Sequence, residues 1–235
     1  ELKDGKYIFD NKEYRLPRHG FARDKMFEAK QTSSNSAIFT LRSNADTLSV
    51  YPFQFILRIQ YEIKQHTLYC SYMVQNINEK DMYFSVGGHP AFNVPLNGKL
   101  QYEDYTLAFN KDTALKRFLL DNGLANDKTE TLELDDKKLH LKSSLFYNDA
   151  IVLKHINSDK IKLYSDKDPH GLTFTFEGFP YFGIWAAKDA PFVCMEPWCG
   201  IADNIHHNYQ LTSKEGINQL AAGATWKRTW SVELY

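Results

Sequence analysis

The chain has 235 residues, with 28 Lys and Arg against 29 Asp and Glu and a formal charge of −1. That balance lacks the clustered basic surplus of a nucleic-acid-binding domain, so no nucleic-acid partner is expected. Hydrophobic residues make up 43% and charged residues 24%, which excludes a disordered chain. The longest nearly apolar run, Phe179 to Ala187, is far short of the roughly 20 residues that cross a bilayer, so no membrane partner is expected either.

The opening, Glu1 to Asp10, carries no apolar run of the secretory kind. Pro17-Arg18-His19-Gly20-Phe21-Ala22-Arg23 comes next. If it is extended, His19, Phe21 and Arg23 share one face. An Arg and a His together suit a polyol or phosphate ligand, or else they mark an exposed basic strand edge. From Phe53 to Ile63 the odd positions are all apolar and the even ones mostly polar, with Ile56 out of pattern. A period of two over that length is a half-buried strand. Leu68, Cys70, Tyr72 and Val74 repeat it and end at the turn-like Asn76–Asn78.

Phe84-Ser85-Val86-Gly87-Gly88-His89-Pro90-Ala91-Phe92-Asn93 breaks the alternation. Glycine there lets a backbone or a ligand come close, and Pro90 holds His89 in β or polyproline geometry. His89 is either a site residue or a hydrogen-bonded histidine in a strand-ending turn. Ala114 to Leu120 reads as a turn or two of helix, stopped by Asp121-Asn122-Gly123. Further turn signals are Asn97-Gly98, Asp168-Pro169 and Ala222-Gly223. His170 falls in the Asp168-Pro169 turn, and His66, His140 and His155 sit among polar neighbours and read as surface. Leu172, Phe174 and Phe176 alternate with polar residues, as do Trp226, Trp230, Val232 and Leu234.

In Phe192-Val193-Cys194-Met195-Glu196-Pro197-Trp198-Cys199-Gly200, a strand puts Phe192, Cys194 and Glu196 on one face, with Pro197 ending the ladder. A carboxylate among apolar neighbours has a partner or a job. The plainer possibility is a salt bridge at a strand end. Cys70, Cys194 and Cys199 form no disulfide framework, and an odd count points to reduced thiols in a reducing, cytoplasmic setting. Cys194 and Cys199 lack a second Cys pair, so no metal is expected. His206 and His207 are adjacent, would face opposite ways on a strand, and read as a solvated loop. Aromatics at 14% fit strands. No linker or repeat divides the chain, and the whole is expected to be all-β, one large antiparallel β-sandwich spanning 1–235.

These segments together resemble the galactose mutarotase-like (aldose 1-epimerase) family, and most closely its LacX-type branch near the glucose-6-phosphate 1-epimerases. The resemblance rests on Arg18 to Arg23, Tyr51-Pro52-Phe53-Gln54-Phe55, Gly88 to Asn93, Gly171 to Trp185, Glu196-Pro197-Trp198 and Gly223. It implies a β-supersandwich with a sugar site on its concave face and no cofactor or metal. It also implies Glu196 as base, His89 as acid, and His19 and Arg23 as sugar contacts. Phe92, Trp185 and Trp198 would pack against the sugar's C–H face. Eighteen residues precede His19, fewer than in family chains. The resemblance therefore implies that the family's opening strands and their Arg-bearing loop lie outside this chain. The Asp-His-Asn-Phe segment of true galactose mutarotases is absent, which weakens a case for galactose.

The implied reaction interconverts the α and β anomers of a hexose. The anomeric O–H loses a proton, the ring oxygen gains one, the ring opens, and the carbonyl closes on its other face. Acid and base on opposite sides of the sugar would suffice, and burial beside Cys194 should raise the Glu196 carboxyl above its free value of about 4.3. The partner is then a small-molecule sugar. The alternatives are a non-catalytic carbohydrate-binding or sensor protein and a hexose-6-phosphate 1-epimerase.

Overall fold

A computed structural model describes residues 1–235 as almost entirely antiparallel strands. A nine-stranded sheet runs, edge to edge, Lys138–His140, Thr106–Phe109, Lys160–Ser165, Asp168–Thr175, Thr225–Leu234, Thr67–Asn76, Phe55–Lys64, Ser36–Arg42 and Glu28–Ser33. A seven-stranded sheet runs Leu124–Glu133, Ala114–Asp121, Ile151–Lys154, Tyr181–Trp185 and Phe192–Cys199. Its edge is completed by two short strands, Val86–Gly87 and Ala91–Asn93, which both pair with Phe192–Cys199. Alternating apolar residues from both sheets meet in a cluster of 26 buried residues, among them Phe174, Phe182, Val193, Met195 and Trp230. Each fully buried side chain of this size contributes about 1.5–3 kcal/mol, so this layer holds the two sheets face to face. The expected β-sandwich is the fold.

A second cluster lies beneath the hairpin of Lys6–Phe9 and Lys12–Arg15. Tyr7 and Tyr14 stack there, and the Tyr7 hydroxyl donates to the Val50 carbonyl at 2.8 Å. Phe21 packs against Tyr51 and Phe55 of the same cluster. The segment bearing His19 is thus pinned at both ends. The one α-helix, Ala45–Val50, starts at Asn44, whose side chain and that of Thr47 cap one another's backbone N–H groups.

Three sequence expectations change. Ala114 to Leu120 is not helical. It belongs to the strand Ala114–Asp121, which pairs with Leu124–Glu133 through a two-residue Asn122-Gly123 turn with both φ values positive. Asp168-Pro169 is no turn either: the chain reverses at Asp166-Lys167, and Asp168, Pro169 and the exposed His170 are already in the next strand. Pro197 does not end its strand, which continues to Cys199. Its carbonyl accepts from the Gly88 N–H, so its missing donor faces the same edge. There Gly88-His89-Pro90 joins the two short strands in unbroken register, held by that bond and by the Met195 N–H on the Pro90 carbonyl, and Pro197 and Pro90 each leave one ladder bond unmade.

Candidate active site

The edge pairing that tolerates Pro197 also positions His89. Val86–Gly87 pairs with Trp198 and Cys199, Ala91–Asn93 pairs with Phe192 to Cys194, and the register runs unbroken between them, so His89 stands directly across from Glu196. In Phe192–Cys199, Val193, Met195 and Cys199 enter the core, so Cys194, Glu196 and Trp198 stand on the other face of the sheet. His89 Nε2 lies 3.4 Å from Glu196 Oε1; the histidine side chain is 49% exposed and the glutamate 7%. The pair has a wet side and a dry side. Burial pushes the Glu196 carboxyl up to about 7, outweighing the Trp198 indole N–H that favours its ionised form. A proton on His89 would add a further pull toward ionisation.

Across the ladder, Glu196 pairs with Gly183, Cys194 with Trp185 and Trp198 with Tyr181. The absent side chain at Gly183 leaves room beside the carboxyl, between Trp185 on one side and Trp198 on the other. The Trp198 indole fills part of it: a Cβ on Gly183 would fall 2.4 Å from Trp198 Cζ2, and one on Gly87 2.6 Å from its Cδ1. Those glycines thus admit an indole, and Gly88 abuts Tyr72 and Trp230 in the same way. Gly183→Ala is expected to displace the indole and cost about 1–3 kcal/mol of stability. Urea melts and tryptophan emission check it, and an alanine variant with wild-type stability and emission would contradict the placement.

Trp185 meets His89 edge-on, with ring centroids 5.9 Å apart. On the other flank the His19 ring lies 6.1 Å from that of His89, again edge-on. His19 arrives there by a turn closed by the Gly20 N–H on the Pro17 carbonyl, with His19 itself at φ 68°. The expected extended segment is therefore not seen, and Ala22–Asp24 is a 3₁₀ turn. His19, Phe21 and Arg23 do not share a strand face. Burial and the charges of Arg23 and Arg18 lower the His19 pKa, which favours its neutral form with one donor and one acceptor nitrogen. Arg23 is exposed, 3.8 Å from Asp24. Arg18 pairs with Glu1 at 2.9 Å and lies along Gly123.

Phe92 is not beside Glu196. It pairs in register with Val193, whose side chain is in the core, and it packs against Phe174. The one-residue parity of the strand sends it to the opposite face, where it and His89 help line an apolar groove of about 480 Å³. Three features escaped the sequence. Gly183 could have been suspected from its place in an otherwise bulky strand. The Cys194 thiol lies with the His89 and Glu196 ligand atoms in one group, all within 4.8 Å of each other, whereas Cys199 is in the core. Lys214 donates to Asp203 at 2.6 Å, both buried, and the His207 side chain is mostly covered, 3.9 Å from that carboxylate, instead of lying in solvent. Burial lowers the His207 pKa. No helix is long and apolar enough to cross a membrane.

Comparison with known proteins places this geometry. Residues 1–208 match the family model described as aldose 1-epimerase. The chain is 33% identical over 225 residues to chromosomal Protein LacX of Lactococcus lactis subsp. lactis, an alignment covering 93% of this chain and 75% of the relative. The galactose mutarotase related enzyme from Lactobacillus acidophilus superposes with a TM-score of 0.93 at 31% identity, over 100% of this chain and 79% of its own. A galactose mutarotase-like protein from Lactobacillus casei gives 0.89 at 30% identity, over 99% and 81%. The resemblance drawn from the segments around His19, His89 and Glu196 therefore holds along the chain, which belongs to the aldose 1-epimerase family.

Proposed function

We propose that this chain interconverts the α and β anomers of a hexose, with Glu196 as base and His89 as acid. The observation that carries the reading is the 3.4 Å contact between a half-exposed imidazole and a buried carboxyl poised near 7. A carboxyl at its free value is a weak base at neutrality, and one near 7 is matched to the task. Acid and base are neighbours here, not the opposed groups that the sequence suggested. Adjacency suits the chemistry, because the anomeric oxygen and the ring oxygen are both bonded to C1. Ionised Glu196 takes the proton from the anomeric hydroxyl as protonated His89 gives one to the ring oxygen, and the C1–ring oxygen bond breaks. The C1–C2 bond turns, and the two groups reverse roles as the ring closes. Trp185 and Trp198 flank the carboxyl with apolar faces for C–H bonds, and neutral His19 offers a hydroxyl contact.

The mechanism needs Glu196 ionised to act as base and His89 protonated to act as acid. kcat/KM in EDTA-treated protein is expected to follow a bell with its maximum near neutrality. Activity falls on the acid side, where both groups are protonated, and on the alkaline side, where both are bare. A flat profile across neutrality, with chemistry shown to limit the rate, would remove this pair from the mechanism.

The substrate is a free hexose in preference to its 6-phosphate. A phosphate dianion calls for two converging cationic donors. Arg18 is engaged by Glu1, and Arg58 points its guanidinium at Gln75, which leaves Arg23. Glucose and galactose are expected to show a higher kcat/KM than glucose 6-phosphate at equal ionic strength. A phosphate preference that collapses in Arg23→Ala would overturn this.

A further inference from the structure

Cys194 takes no part in the proton transfers above, yet its thiol is held with the two groups that do. Cys194 and Glu196 are two residues apart on one strand and share its face, and His89 reaches them from a separate segment. Sulfur, nitrogen and oxygen ligand atoms thus converge within 4.8 Å of one another. The 3.4 Å between His89 Nε2 and Glu196 Oε1 is close to the roughly 3.3 Å that separates two such ligands on a tetrahedral zinc with bonds of about 2.0–2.1 Å. A thiolate on the same ion would sit about 3.5 Å from each, so the three atoms need to close by about an ångström. The half-exposed His89 side chain would supply part of that movement, and rotamer shifts of Cys194 and Glu196 the rest.

The electrostatics favour a dication. Cys194 is 1% and Glu196 5% exposed, and a buried thiolate and carboxylate are costly alone but neutral together with one divalent ion. A thiolate beside an imidazole selects zinc and its softer analogues over magnesium or calcium. Three protein ligands leave a fourth position toward the solvent side of His89 for water or a sugar hydroxyl.

We propose that His89, Cys194 and Glu196 form an inhibitory site for a thiophilic divalent cation, which stops turnover by occupying both the acid and the base. The thiol proton leaves to solvent as the ion enters. The inhibition rests on the catalytic reading given above; the binding does not.

The test begins without sugar. The full chain, stripped with EDTA, is titrated with Co²⁺ and followed by thiolate-to-cobalt charge-transfer absorption. One equivalent is expected to produce the band, Zn²⁺ to abolish it, and Cys194→Ser to lack it. Competition against a chromophoric chelator should show Zn²⁺ binding weakened by roughly tenfold or more in Cys194→Ser and in His89→Ala, the latter a half-exposed position where folding is not at stake. In the second arm, Zn²⁺ stops anomer exchange by the wild type, EDTA restores it, and Cys194→Ser requires at least roughly tenfold more Zn²⁺. No charge-transfer band in the wild type, or an affinity unchanged by both substitutions, overturns the site. A band in a protein that exchanges no sugar leaves the metal site standing and sinks the catalytic reading. An active enzyme without the band does the reverse.

Discussion

Glu196→Gln and His89→Asn are each expected to slow anomer interconversion by about 10²–10⁴-fold, the usual worth of one positioned proton-transfer group. Both substitutions keep the shape and a hydrogen-bonding end while removing the exchangeable proton site. Neither should unfold the protein: the Glu196 face is not the core face, and His89 is half exposed. The two act on one event, so the double variant should be little slower than the worse single one. Polarimetry on a freshly dissolved pure anomer measures this, with circular dichroism to confirm folding. Either single variant at near wild-type rate would end the assignment.

The same carboxyl makes an opposite prediction for stability. Burial raises Glu196 from 4.5 to about 7 in the folded state. Between those values the native state holds a proton that the unfolded chain has released, so folding stability from this group falls as pH rises and reaches its full cost above 7. A shift of that size corresponds to about 3 kcal/mol at alkaline pH. Glu196→Gln is therefore expected to be more stable than the wild type by about 2–3 kcal/mol near pH 8.5, with the advantage gone below about pH 5. Urea denaturation of EDTA-treated protein at the two pH values measures it. A Gln variant equally stable at both, or less stable at the higher, would mean that the carboxyl is ionised at no cost in the folded protein. Loss of activity with gain of stability in one substitution would mark a site held in its state for function.

The parts of the fold that could be read from residues are those where one face of a strand is dry and the other wet. Leu68 to Val74 and the first half of Phe55–Lys64 show the period of two for that reason, although Tyr61 and Ile63, on the expected dry face, are exposed. Ala114 to Leu120 hid its period: Leu115 enters the core while Phe118 and Leu120, half-buried, pack on the other face against the cluster of Val152, Tyr181 and Ile201. Both faces carry apolar side chains, and the register shift between Phe118 and Leu120 breaks the remaining alternation. Within the site, Glu196 stood out as a carboxylate among apolar neighbours, and His89 as a histidine between glycines and a proline. Their 3.4 Å contact follows from the register that sets His89 across from Glu196 at the edge of the seven-stranded sheet, a property of pairing and not of local sequence. The direction of Phe92 likewise follows from its register with Val193, which local sequence does not reveal. The His19 turn was missed because a non-glycine residue at φ 68° has no reliable signature. Cys194 was weighed against Cys199 along the chain, while the atoms that approach it come from across the fold.

The most direct measurement of the central claim is NMR saturation transfer between the α and β anomeric protons of glucose and of galactose at neutral pH. It reads the exchange itself, without coupling enzymes and without regard to sugar affinity. Catalytic amounts of EDTA-treated wild-type protein are expected to carry saturation from one anomer to the other, and Glu196→Gln at the same concentration should not. Sugar resonances that broaden on binding, with no transfer between anomers in the wild type, would make the protein a sugar binder and contradict the account.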